Sequence, residues 1–243
     1  MAICGWIPPR PCGTAIGMLL LTLAVCRSTL AEELDGKPAG AAAKLDKAAL
    51  RKCLRVPWFH TRQQAAKGAD SEKDLRQAVE KDSNDASSWA RLAALLVRAR
   101  RFEELEALGK SEASRKPKAS ACLALAKAAE GLGRAVEAQA HVEEALKLEP
   151  ADLLANLAAV VLALRSGDDK PALSKAQGHL RRAYEAVKKG SAQEESMVEY
   201  HLVVGAYLAS SGDVDRALDL LEDVVAFRED HEEAKELLSV LEK

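Results

Sequence analysis

Five histidines, His60, His141, His179, His201 and His231, and adjacent carboxylate pairs such as Glu103-Glu104, Glu143-Glu144 and Glu222-Asp223 are the side chains that could do acid–base or metal chemistry. Metal binding on a helix needs two ligands three or four residues apart, and none of the histidines has a second histidine or a cysteine at that spacing; His141 has Glu143 and Glu144 nearby, which read as solvated. General acid–base work needs carboxylates converging in a cleft, whereas these pairs fall on the outer faces of expected helices. Gly131-Leu132-Gly133 reads as a turn and not a phosphate-cradling loop, and no His-Glu-x-x-His or Gly-x-Ser-x-Gly string occurs. The expectation is a chain with no catalytic residues, no metal site and no cofactor. Cys53 and Cys122 are the cysteines beyond residue 31, too few for a disulfide framework and without zinc spacing, and Cys122 reads as a small core hydrophobe.

The elements that would carry such side chains repeat. Segments beginning at Ala86, Ala119, Leu153 and Val198 place the same residue classes at the same offsets. In the first, Trp89, Leu92, Ala93 and Leu96 form one helical face. In the second, Leu125, Ala126 and Ala129 form that face, Gly133 marks a turn, Ala138 and Ala145 lie on a second helix, and Pro150 ends it. The fourth repeats this with Val204, Gly205, Leu208, the turn Ser211-Gly212-Asp213, then Ala217, Leu221 and Val224. The third has Ala159, Val160, Ala163, Ala176, Leu180 and Ala183, with a longer turn through Asp168-Asp169-Lys170-Pro171.

This pattern resembles the tetratricopeptide repeat family over roughly 86–243, most closely at 119–150. The first unit departs from it where Leu105, Gly109 and Glu112 replace alanine, an aromatic and alanine. The resemblance implies an all-α, right-handed solenoid of stacked antiparallel helix hairpins, about four units across 86–231 followed by a capping helix over 232–243. It also implies a concave partner-binding groove lined by the first helices of the hairpins: Ala90, Ala94, Val97 and Arg98; Leu123, Lys127 and Glu130; Leu157, Val161, Leu164 and Arg165; Leu202 and Ala206. Where the family's best-known groove clamps a terminal carboxylate, this chain has Ala90, Ala94, Ala124, Leu154 and Ala158, so that ligand is not expected. The groove reads as mostly apolar with Arg91, Arg98, Lys127 and Arg165 on its positive side, suited to an amphipathic helix or extended peptide with acidic flanks. The alternative held open is that Leu157, Val161 and Leu164 bury against a neighbouring helix or the chain's own N-terminal segment.

Residues 1–31 lack Asp and Glu, carry Arg10 and Arg27, and have an apolar core from Ala15 to Val25, shorter than the roughly 20 residues a membrane span needs. They read as a signal peptide cleaved after Thr29-Leu30-Ala31, and hence export to the periplasm or exterior. Lipid anchoring at Cys26 and organelle targeting are the alternatives. A flexible linker is expected over 32–43 and an N-terminal helical segment over 44–85, its helix at Glu72–Lys81 resembling the second half of a degenerate repeat, with Ser71 as N-cap.

The net charge of -2 hides a gradient. Lys44, Lys47, Arg51, Lys52, Arg55, Arg62 and Lys67 oppose only Asp46 in the 44–67 stretch, whereas acids outnumber bases fourteen to four from Glu194 to Lys243. The preferred reading of the basic stretch is a solvated amphipathic helix with a stripe of Ala48, Leu50 and Leu54, stopped by Pro57, with Trp58 and Phe59 packed on the first repeat. The function expected is a non-catalytic protein-binding scaffold; the alternative is association with anionic lipid or nucleic acid through 44–67. With 4% aromatics, a nucleic-acid partner is not expected, and membrane contact requires Cys26 lipidation or the basic stretch.

Overall fold

The computed structural model describes residues 45–57, 71–82, 85–115, 117–167, 169–189 and 194–242. Every regular element among them is a helix. In chain order they are α1 (Lys47–Cys53), α2 (Glu72–Lys81), α3 (Ala86–Arg98), α4 (Phe102–Arg115), α5 (Ala119–Gly131), α6 (Ala135–Leu148), α7 (Leu153–Ser166), α8 (Lys170–Lys188), α9 (Glu194–Ser211), α10 (Val214–Phe227) and α11 (Glu232–Leu241). From α2 to α11 each helix packs on the next one along the chain, and α3, α5, α7, α9 and α11 also pack each on the next of that series.

Two kinds of turn alternate. Within the hairpins α3–α4, α5–α6 and α9–α10, the chain passes through a left-handed residue, Arg100 (φ 55°), Gly133 (φ 76°) and Gly212 (φ 97°). Each makes the same pair of bonds: Arg100 N–H to the Val97 carbonyl and Arg101 N–H to that of Leu96; Gly133 to Glu130 and Arg134 to Ala129; Gly212 to Ala209 and Asp213 to Leu208. This is a helix terminated by closing its last carbonyls onto the turn. Between hairpins the second turn also recurs: Asp85 N–H donates to Asp82, Asp152 to Glu149 and His231 to Arg228. The residue ending each of these turns caps the next helix. Asp85 accepts from Ser87 and Ser88, Asp152 from Ala155, and His231 Nδ1 from Ala234.

The longer third turn follows from a different start to α8. Asp169 caps it by accepting from Ala172 N–H, with Pro171 in the first turn. Ser71 caps α2 with Asp74 reciprocating, the box expected from the sequence.

Small residues set the spacing between helices. Ala93, Ala126, Ala138, Ala145, Ala176, Ala183 and Ala217 are fully or almost fully buried. A Cβ on Gly205 would lie 3.1 Å from Leu221, and one on Gly109 3.0 Å from Leu125. The second of these explains one departure in the first unit: Gly109 leaves room for a leucine of the next hairpin. Glu112, also buried there, is paired with Lys118 at 3.4 Å. On the surface, Glu72, Arg76, Arg101 and Glu104 form an ion-pair network joining α2 to α4.

The N-terminal helix lies elsewhere than expected. The basic stretch was read as a solvated helix leading into the first repeat, but α1 packs against α7, α9 and α11. Leu50, Leu54 and Val56 are at most 2% exposed. The apolar stripe is a docking face. Trp58, Phe59 and His60, the stretch 1–31 expected to be a signal peptide, with Cys26, and the expected linker 32–43 lie outside the described residues.

Candidate binding groove

The groove is built on α5. Lys127 and Glu130, three residues apart on one face, form an ion pair at 3.0 Å, and Arg165 of α7 reaches the other Glu130 oxygen at 2.6 Å. Both acidic and basic members are largely buried, so each needs its partner. Half of the expected positive rim is neutralised, since one carboxylate serves both Lys127 and Arg165, while Arg91 and Arg98 on α3 are exposed.

That cluster holds main chain. Val56 N–H donates to both oxygens of Glu130, at 2.9 and 3.1 Å, while Lys127 Nζ donates to the Val56 carbonyl at 2.7 Å. One step earlier, Arg55 N–H donates to Glu233 Oε1 of α11 at 2.9 Å. The local sequence makes these groups available. Asp46 starts α1 by capping Ala48 and Ala49, and Leu54 leaves the helix in an extended conformation. Pro57 disfavours helix at Val56, which frees both its polar backbone groups.

The remaining expected groove residues divide into two sets. Leu123, Leu157, Val161, Leu164, Leu202 and Ala206 are 0–3% exposed, on or beside the helices against which α1 packs. Ala90, Ala94 and Val97 on α3 are half-buried and Arg98 is exposed. The α7 to α11 end of the expected groove is thus buried, on helices that meet α1 and their hairpin neighbours alike, while Ala90, Ala94 and Val97 at the α3 end are half-buried.

Acidic groups gather under the segment. Glu233 is pushed up to about 7 by burial, with Glu199 adding to the shift and Lys127, the Arg55 N–H and His231 opposing it. His231 Nε2 lies 3.5 Å from Glu199 Oε1, and both residues are buried. Because His231 Nδ1 accepts from Ala234 N–H, its other nitrogen carries the proton toward Glu199. Arg55 points its guanidinium toward Glu236 at 4.0 Å.

His179 sits in a structural bond network. His179 faces Asn156 Oδ1 at 3.2 Å, and Asn156 Nδ2 donates to the Pro150 and Asp152 carbonyls. Burial, helped by Arg182 and Lys175, lowers His179 to about 4, and burial alone lowers His201 to about 4. Burial lowers His141 and raises the Cys122 thiol. Among the described residues no three His, Cys, Asp or Glu side chains converge as a metal site, and no helix is long and apolar enough to cross a membrane.

Sequence reasoning missed Glu233, Glu199, and the pairing of Val56 with Lys127 and Glu130. Leu50 and Leu54, four apart and followed by Val56-Pro57, carried a signal of docking. Nothing local said where. No family model matches the chain, and no curated protein was found to be similar to it.

Proposed function

We propose that this chain is a non-catalytic protein-binding scaffold, a right-handed solenoid of tetratricopeptide type that acts in an exported or envelope assembly. The observation that carries the reading is the groove itself. Successive helices form a surface on which a helix followed by extended chain is held by apolar side chains and by acidic and basic side chains directed at main-chain N–H and C=O groups. Main-chain capture combined with apolar anchoring is how peptide-recognition surfaces work.

The repetition of both turn types supports the repeat reading, since α3–α4, α5–α6 and α9–α10 close with the same pair of bonds. The accessible part of the groove at Ala90, Ala94 and Val97 is where a partner would first make contact. Export rests on the acid-free, apolar N-terminus and its Thr29-Leu30-Ala31 site. Association with an anionic surface draws less support, because Leu50 and Leu54, the apolar face such a helix would insert, are buried inward.

A photo-crosslinking residue at Ala94, introduced in the native host, tests the reading, with the exposed α6 position Glu144 as control. The expected result is one discrete protein adduct at Ala94, absent at Glu144 and abolished by Val97→Glu in a chain that still folds. No adduct at Ala94, or equal adducts at both positions, contradicts it. The intact mass of the recovered chain reads the address: a chain beginning at Glu32 supports export, and one beginning at Met1 opposes it.

A further inference from the structure

Residues 45–57 dock out of sequence. From α2 onward every helix packs on its chain neighbour, yet α1 packs on α7, α9 and α11, and the residues just after it bond to α5. Removing it breaks no hairpin and no pairing between consecutive helices. Its helix is seven residues long, well below the roughly 12–15 at which an isolated helix holds itself together, so its shape depends on the surface beneath it.

Its hold on that surface is peptide-like. Two leucines four apart and a valine bury as anchors. Glu130, Lys127 and Glu233 bind the main chain of Arg55 and Val56, a contact any peptide of the same path could make. The charges are complementary: Arg55 meets α11 with its N–H on Glu233 and its guanidinium 4.0 Å from Glu236, and the same segment carries Arg51 and Lys52. Lys127 and Arg165, the cations on this side, are already neutralised by Glu130.

From this placement we infer that the groove from α5 to α11 is a binding site for a basic partner peptide, two leucines one helical turn apart followed by an extended Val-Pro, and that residues 45–57 are its displaceable internal occupant. The inference rests on the scaffold reading and specifies its ligand, with basic flanks in place of the acidic ones expected from sequence. Tethering gives the internal copy an effective concentration on the order of 1 mM, so a partner enters by competition or when the segment is drawn away.

The probe is a fluorescein-labelled synthetic peptide with the sequence of residues 45–57, titrated against the full-length chain. In wild type the internal copy competes and uptake is weak. Leu50→Asp with Leu54→Asp undocks the internal copy, and the expected result is peptide binding at least ten-fold tighter than in wild type. Adding Glu130→Gln to that variant reverses the gain by ten-fold or more, as does a peptide with Arg51, Lys52 and Arg55 changed to Glu. A folded double variant that takes up no peptide overturns the inference, as does equal uptake of the charge-reversed peptide, or a wild-type chain that is a dimer with segments exchanged between copies. If the double variant does not fold, the wild-type chain is read by hydrogen exchange with a large excess of unlabelled peptide. Faster exchange at the chain's own Val56 amide supports displacement; an unchanged rate shows an integral part of the core and overturns it. Peptide uptake is read with purified protein, so it fails or succeeds independently of crosslinking at Ala94 in the host.

Discussion

At the residue scale, Glu130 carries more of the structure than its place in a charge-rich sequence suggests. One carboxylate accepts from Val56 N–H, Lys127 and Arg165. Glu130→Ala therefore leaves two largely buried cations without their shared anion and a backbone N–H without its acceptor, at a cost of roughly 3 kcal/mol. The segment should loosen first: limited trypsin digestion of the variant is expected to cut after Arg51, Lys52 or Arg55 well before wild type does, and identical cleavage kinetics would count against the clamp. Glu233 gives a pH signature. Its folded value of about 7 stands above its ordinary 4.5, so its contribution to stability is complete below about 4.5, falls as pH rises through 7, and is absent above. Glu233→Gln keeps an acceptor for the Arg55 N–H and removes that loss. The variant should gain on wild type between pH 5 and pH 8 by up to about 3 kcal/mol in chemical denaturation. His179 and His201, held near 4, lose stability as pH falls from 6.5 toward 4, but they do so in both proteins and cancel in the difference. A pH-independent difference would mean that Glu233 is ionised normally.

At the element scale, the helices were legible because their signals are local. Ser71 with Asp74, Asp85, and the glycines at 133 and 212 mark ends that the structure reproduces. Arg100 was not legible as a turn residue, because nothing in its side chain announces a left-handed conformation. Its hairpin bonds match those at Gly133 and Gly212, and the strain of φ 55° in a residue with a Cβ should be relieved by Arg100→Gly. The lost entropy of glycine offsets part of this, leaving a gain of about 0.5 kcal/mol, measurable as a raised melting temperature; a loss of stability would show that the Arg100 side chain matters more than its backbone. Gly131 shows the opposite case. It ends α5 against the Phe102 ring, where a Cβ would lie 2.4 Å from ring carbons. Gly131→Ala should cost about 1–3 kcal/mol despite alanine's better helix propensity, because the ring must shift.

At the scale of the whole molecule, the least legible feature is the return of residues 45–57 to helices far along the chain. Leu50, Leu54 and Val56 showed that something would be buried, but the partner surface is assembled from α5, α7 and α9, each from a different hairpin, and from the terminal helix α11. Local pattern carries no record of such an encounter. The same holds for Glu130, whose three partners come from residues 56, 127 and 165. In an array of nearest-neighbour contacts, a segment that crosses several hairpins is also a brace: it links units that otherwise share only one interface each. Opening it should therefore be a local event of lower free energy than unfolding the array.

Hydrogen exchange on the wild-type chain, resolved at the amides of Arg55 and Val56 and in the helices α5, α7 and α9, tests that account most directly. Docking by Glu233 and Glu130 predicts protection at both amides, lost through an opening distinctly cheaper than that of the α7 core. Unprotected Arg55 and Val56 amides would mean that the segment does not occupy the groove. Protection equal to that of α7 would mean that it never leaves except by global unfolding.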